Sequence, residues 1–291
     1  MRPTTRWAIL FMGPPILLFT AIVVVPTAMA LRLSFTDANI LGQTSQWIGF
    51  DNFVEAFTNE HVRKSIRITL VWTLFGALIP PALGLGIAMM LQANTRFAAI
   101  MKSALFVPIS ISLVVVGQVW IWIYQPGDGL INQMLGLVGL ESLEEAWLAN
   151  RSTALWAVFI AWAWQQAVLA MILYLAGLTS IPGELVEAAR VDGAGQFQVF
   201  RQVIVPLLRP ITTVVLSLIA INSLRNFDLV FAMTQGGPVR ETETMPMLVW
   251  RILFRQHEQG LASAVSLILF AMTLVVIGGL TWWGRRGSYV D

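Results

Sequence analysis

The 291-residue sequence contains no cysteine and only two histidines, His61 and His257. This excludes disulfide frameworks, thiolate metal sites and cysteine nucleophiles, and it leaves no histidine pair at a metal-ligand spacing. Charge is scarce too. Asp, Glu, Lys and Arg make up 12% of the chain, and Lys64 and Lys102 are its only lysines. A soluble globule carries roughly a quarter charged residues. Neither lysine follows a glycine, so the chain has no Gly-Lys-Ser/Thr loop to hold nucleotide phosphates. The net charge of +2 is small, and no basic stripe suited to nucleic acid is present. Low-complexity linkers and clear internal repeats are absent as well.

Apolar residues, in contrast, form 57% of the chain, and the mean hydropathy is +0.73. Such a chain cannot cover itself with polar surface, so its solvent is largely lipid. Crossing the hydrocarbon core takes roughly 20 apolar residues as a helix. Five uncharged runs meet that length, at 7–31, 68–95, 103–127, 152–183 and 259–284. A sixth, 210–224, becomes long enough by continuing through Arg225 and Asp228 to about Ala232. Alternating strands of the kind a barrel needs are not seen.

The expected fold is therefore an all-α membrane protein with about six transmembrane helices, near 7–31, 68–92, 103–125, 153–176, 210–232 and 260–283. They form one domain over 7–284, between short tails at 1–6 and 285–291. The apolar run after Arg2 and Arg6 is longer than a signal-peptide core and has no clear cleavage site, so it is read as a retained first span. With the N-terminus inside, the segments 1–6, 93–102, 176–209 and 284–291 carry nine Lys/Arg and four acids. The outer loops 36–65, 126–151 and 233–258 carry six Lys/Arg and eleven acids. The basic bias places both termini in the cytoplasm. Trp120, Trp122, Trp282 and Trp283 fall at span ends and read as interfacial anchors. Pro14, Pro15, Pro26, Pro80, Pro81 and Pro108 fall inside spans. Their kinks serve either helix packing or a path lined by broken helices.

The longest inner loop, 180–209, reads as two short helices. Ser180 is placed to cap the first, Pro182 suits its first turn, and Glu184 favours the positive end of its dipole. Asp192-Gly193 breaks it, because glycine tolerates the positive φ of a turn. In the second, Phe197, Phe200, Val203 or Ile204, and Leu207 recur at helical spacing opposite Gln198, Arg201 and Gln202. Such a helix could lie on lipid headgroups. The small residues Ala188 and Ala189 beside a carboxylate suit docking into a protein groove instead.

Glu187-Ala188-Ala189, Gly193 three residues beyond Arg190, and Val203-x-Val205-Pro206 resemble the EAA loop of binding-protein-dependent ABC importer permeases. Phe227-Asp228, Thr234-Gln-Gly-Gly-Pro238 and Trp47-Ile-Gly-Phe-Asp-Asn-Phe53 extend the likeness to the carbohydrate-uptake branch, similar to the larger maltose permease subunit. The resemblance runs from about Trp7 to Trp283. It implies the type I importer permease architecture, and a coupling helix in which Glu187, Ala188, Ala189, Asp192, Gly193 and Pro206 serve a separate ATPase subunit. It implies a second related permease, hence a heterodimer, together with two ATPase subunits and an extracytoplasmic solute-binding protein. The site is the inner membrane of a prokaryote. This chain would bind no cofactor, ATP and Mg being held by the ATPase, and would be a non-catalytic transport subunit.

For the solute path, span four offers Trp162, Trp164, Gln165 and Gln166, and span five offers Asn222, Ser223 and Asn226. Amides and aromatic rings match the hydroxyls and C–H faces of sugars, although each residue singly also suits helix packing. The resemblance aligns the maltose-contacting positions with Trp162, Gln165, Gln166, Leu169, Ile219, Ser223 and Asn226, with most identities changed. Arg225 and Asp228, three apart on one expected helical face, are either functional intramembrane charges or a structural pair snorkelling to the interface. Solutes of the glycerol-phosphate type remain an alternative to carbohydrate. An ion-coupled carrier is disfavoured by the lack of mid-span acids other than Asp228 and of inverted repeats. An intramembrane enzyme lacks both a nucleophile with its base and a metal site.

Overall fold

The computed structural model describes residues 3–42, 45–92 and 95–285, the first eight of these and Arg285 by backbone alone. Of the two expected tails, residues 1–2 and 286–291 lie outside the described residues. The described chain is helical nearly throughout; its only β pairing is two isolated bridges, Thr36 with Trp47 and Asn39 with Glu258.

Four continuous helices are long and apolar enough to cross a membrane: Phe11–Leu33, Glu60–Met90, Ala154–Thr179 and Gln259–Gly284. Two bent pairs, Arg96–Ser110 with Leu113–Ile123 at 105° and Gln196–Leu207 with Arg209–Leu224 at 68°, complete a set of six if each pair is one span. The prolines are accommodated in different ways. Helix α1 (Pro3–Phe19) passes through a π-turn, Thr20–Val24, into α2 (Val25–Leu33). A second π-turn, Phe200–Ile204, precedes Pro206 by the same two residues. In both, the carbonyl four residues before the proline, where its ring would clash, lies in the widened turn. Helix α3 covers Asp51–Thr58, and α4 (Glu60–Met90) carries Pro80 and Pro81 without interruption.

The third span, expected near 103–125 with a kink at Pro108, is two helices. Helix α5 (Arg96–Phe106) begins at Thr95, whose hydroxyl accepts from Ala98 N–H at 3.1 Å, and ends in a 3-10 turn, Val107–Ser110, containing Pro108. Ser112 then caps α6 (Leu113–Ile123), and the two halves meet at 105°. The fifth span also departs from expectation. After α7 (Leu130–Leu137), α8 (Ala154–Thr179), α9 (Gly183–Val191), α10 (Gln196–Val199) and α11 (Val205–Leu207), helix α12 runs Arg209–Leu224 and stops. The chain restarts as α13 (Asp228–Met233). Arg225 and Asp228 therefore flank a break and do not share a helical face. Helices α14 (Met245–Arg251) and α15 (Gln259–Arg285) follow.

Contacts divide the chain into two units, residues 1–64 with 248–271 and residues 65–247 with 272–291. In the first, Phe35 stacks on Trp47 at 5.3 Å and meets Phe50 edge-on at 5.2 Å. Buried Asn52 donates to the carbonyls of Ser34 (2.9 Å) and Thr36 (2.8 Å). The sequence motif 47–53 is thus the clasp of this unit.

The second unit is built around α8, whose length is mostly buried. Trp72 of α4 packs on Phe159 and Trp162 of α8 at 5.3 and 5.7 Å. Gly84 lets the two helices approach: a Cβ there would lie 2.7 Å from the Met171 nitrogen and 2.8 Å from the Ala167 carbonyl. Helices α6 and α13 pack on each other, with Gly117 of α6 against Leu229, Ala232 and Met233 of α13. The loop after α13 is tied inward, Thr244 Oγ1 donating to the Asn226 carbonyl and Met245 N–H to Thr69 Oγ1, both at 2.9 Å.

Candidate functional site

A cavity of about 420 Å³ opens between α8 and the breaks in the third and fifth spans. From α8 it receives Trp162, Gln165, Gln166 and Leu169. Asn222 of α12 and Arg225, Asn226, Phe227 and Asp228 of the second break contribute another wall; Ile109 and Leu113 contribute the first break. Trp164 apart, seven of the eight path candidates thus border one volume. The exception is Ser223, which is buried behind it, where a Cβ on Gly76 would meet its hydroxyl at 2.9 Å and the Trp162 ring at 3.0 Å. Trp164 points elsewhere, half-exposed and packed on Trp120 at 6.1 Å. Ile219 is buried away from the cavity.

The walls differ in how their polar groups are used. Gln165 donates to the carbonyls of Pro108 and Ile111, each at 2.9 Å. Asn222 donates to Gln166 Oε1 at 3.0 Å, joining α12 to α8. Asn226 is 3% exposed, and neither end of its carboxamide finds a partner among the described residues; the same holds for Trp162 Nε1. Such groups are rare in buried positions, because each costs about 1–3 kcal/mol when unsatisfied. Arg225 and Asp228 are both exposed at the cavity, and no ion pair joins them among the described residues. The site therefore offers amides, an indole, apolar surface and one charge of each sign. Among the described residues no group of His, Cys, Asp and Glu could hold a metal ion. Ile109 and Leu113 escaped the sequence reading, and Phe227 entered it only through the Phe227-Asp228 likeness and not as a cavity residue, since nothing but Pro108 marks the breaks that expose them.

The loop at the other end of α8 has the expected break but a different cap. Ser180 bonds back to the Gly177 carbonyl at 2.7 Å, and Pro182 stands at the start of α9 with no side-chain cap. Asp192 ends α9, and Gly193 turns the chain at φ +86°. The Gly193 and Ala194 N–H groups close the helix on the carbonyls of Arg190 and Ala189, both at 3.0 Å. Glu187 and Ala188 are exposed and Ala189 half-buried; Glu187 and Arg190 border a second cavity of about 200 Å³ with Gln92 and Ile204. No member of the expected apolar stripe is buried: Phe200, Val203 and Ile204 are half-buried, and Phe197 is 71% and Leu207 44% exposed. The buried residues of this stretch are Val199 and Leu208, and Val191 at the end of α9 is 86% exposed. Pro206 lies exposed in α11, directly after the π-turn.

A helical bundle with two broken spans around a polar cavity defines a membrane permease. The chain belongs to the family of binding-protein-dependent transport system inner membrane components, whose model matches residues 82–286, and it is an ABC importer permease embedded in the membrane. It is 32% identical to the probable ABC transporter permease protein PH1038 of Pyrococcus horikoshii over 91% of this chain and 94% of that one. It is 29% identical to the diacetylchitobiose uptake system permease protein NgcF of Streptomyces coelicolor, over 91% of this chain and 78% of that one. Among solved structures, a bacterial ABC transporter involved in the import of the acidic polysaccharide alginate shares the fold. The TM-score is 0.83 at 23% identity, over 97% of this chain and 96% of its counterpart.

Proposed function

We propose that this chain forms, with a second related permease, the pathway by which a carbohydrate crosses the inner membrane of a prokaryote. The observation that carries this reading is the polar, aromatic cavity between α8 and the two breaks, bordered by Asn226 and Trp162, whose buried hydrogen-bonding groups have no partner among the described residues. Sugars offer hydroxyls to such amides and C–H faces to such rings. The diacetylchitobiose system of NgcF and the sulfoquinovosyl glycerol system of SmoG, a relative 30% identical over 94% of this chain, support the same solute class. Arg225 at the cavity favours one second reading, a solute of the glycerol-phosphate type.

The motor is a pair of separate ATPase subunits that hold ATP and Mg, and an extracytoplasmic binding protein delivers the solute. The α9 knob, with Glu187, Ala188 and Ala189 on it, Asp192-Gly193 at its corner and Pro206 beyond, docks into a cleft on the ATPase. The exposed Val191 and Phe197 give that contact its apolar part. Closure of the ATPases then shifts the permease between inward- and outward-open states. Both termini lie in the cytoplasm, with six crossings between them.

The cavity is tested by protection. In the assembled importer, a single cysteine introduced by Asn222→Cys is expected to react more slowly with a thiol reagent when the binding protein delivers a neutral oligosaccharide. Protection by glycerol phosphate alone supports the second reading. No protection by either excludes the cavity as the path.

A further inference from the structure

Gln165 borders the cavity, yet its amide nitrogen is fully engaged elsewhere. A carboxamide carries two N–H donors, and here they go to the Pro108 and Ile111 carbonyls, each at 2.9 Å. Both carbonyls belong to the break between α5 and α6, where the helical ladder is interrupted and carbonyls lose their partners four residues on. The Ile111 N–H turns back to the Pro108 carbonyl at 3.3 Å, so Gln165 meets the break at the two ends of one short turn. Gln165 itself is 7% exposed. Without such a donor the alternatives are an unsatisfied carbonyl, water drawn in from the cavity, or a different backbone path. Ile109 and Leu113, inside and just beyond that turn, form part of the cavity wall. The neighbouring Gln166 meets Asn222 on the opposite wall. Two consecutive residues of α8 thus reach both sides of the cavity.

We propose that Gln165 is a positioning residue, a side-chain bracket that holds the 105° break of the third span as one wall of the solute path, and is not itself a solute contact. This rests on the reading of the cavity as that path, but the bracket has a readout that needs no solute. The chain has no cysteine, so Ser110→Cys, near-isosteric and on an exposed residue of the turn, places one thiol there. Its labelling rate is measured in the assembled importer, resolved by chain. Adding Gln165→Leu, which keeps side-chain bulk and removes both donors, is expected to change that rate at least about tenfold at every pH, as expected when two net hydrogen bonds are lost.

Gln165→Glu supplies the control that a purely space-filling role would not pass. As a carboxylate it repels both carbonyls; once protonated, its O–H donates to one of them again. Arg225 and Asp228 line the same cavity, so each rate is divided by that of the single-cysteine parent at the same pH. The ratio is expected to depart from one at high pH and to return towards one as the carboxyl takes up its proton. A ratio within twofold of one for both variants at all pH values overturns the bracket. So does a Gln165→Glu variant equally altered at every pH, and this arm decides alone if Gln165→Leu does not assemble. Loss of solute protection at Asn222→Cys with the bracket intact would instead sink only the path.

Discussion

The substitution Asn226→Leu separates the two roles that a buried amide can have. If Asn226 were a structural residue, its side chain would hold another group, and its removal would loosen the fold. Instead the residue is 3% exposed and neither polar atom of its carboxamide has a partner among the described residues, while its backbone is pinned independently by Thr244 Oγ1 on its carbonyl at 2.9 Å. Leucine has nearly the same shape. It removes a desolvation cost of about 1–3 kcal/mol for an unsatisfied buried polar group, so the solute-free importer is expected to unfold at the same temperature or a few degrees higher. Import is expected to suffer. Losing two hydrogen bonds to a solute hydroxyl, each worth roughly 0.5–1.5 kcal/mol net, lowers uptake efficiency by about 5- to 140-fold, since 1.4 kcal/mol is one decade. The assay pairs scanning fluorimetry of the twelve tryptophans with ATP-driven uptake in proteoliposomes. A clear fall in the unfolding temperature with unchanged uptake would refute the reasoning, because it would mean that the amide serves the protein and not the solute.

Three further outcomes follow from other parts of the molecule. Glu187→Lys reverses the charge of an exposed residue on α9, and is expected to abolish solute-stimulated ATP hydrolysis in a complex that still assembles; normal stimulation would remove Glu187 from the coupling contact. Gly84→Ala forces a Cβ to within 2.8 Å of the α8 backbone. It is expected to lower stability by up to about 2 kcal/mol, overpacking of about 1–3 kcal/mol being offset by roughly 1 kcal/mol of helix propensity. Gly86→Ala, with nothing within 4 Å of its would-be Cβ, is the matched control, and equal unfolding temperatures for the two would contradict the close approach of α4 and α8. In the first unit, burial first and Glu55 second hold the Glu258 carboxyl above its ordinary value of 4.5. The folded unit thus keeps a proton that the unfolded chain releases above that value, so its stability falls as pH rises through the interval between the two pKa values. Glu258→Gln is expected to flatten that dependence in thermal scans; an unaltered slope would show that another group titrates there.

Much of the site was legible because it is local. Trp162, Gln165 and Gln166 are adjacent on one span and Asn222 and Asn226 are one turn apart on another, so polar residues in otherwise apolar runs were enough to nominate them. Gly193 was readable for the same reason, since a turn after a short helix demands its φ of +86°. What stayed hidden depends on the backbone leaving its regular course. Arg225 and Asp228 have the spacing of one helical face, but Arg225 ends α12 and Asp228 begins α13. The third span carries no glycine at its break, and the donors that satisfy the turn come from Gln165, more than fifty residues later. No local pattern encodes such a partner. Ser180 had the residue type of a forward cap and bonds backwards instead. Phe197 had the spacing of a buried stripe and stands exposed, on a loop whose apolar surface the isolated chain does not cover.

The central claim is that a separate nucleotide-hydrolysing subunit grips the knob after the fourth crossing from the cytoplasm. Since the chain has no cysteine, Ala188→Cys puts a single thiol on the exposed face of α9, and a short bifunctional thiol–amine reagent then reports what lies against it in the assembled importer. The expected product is a cross-link to the ATPase subunit, formed from the cytoplasmic side and weakened by Glu187→Lys. A thiol that reacts with impermeant reagent from the outside, or that yields no ATPase adduct in a complex hydrolysing ATP, would contradict it.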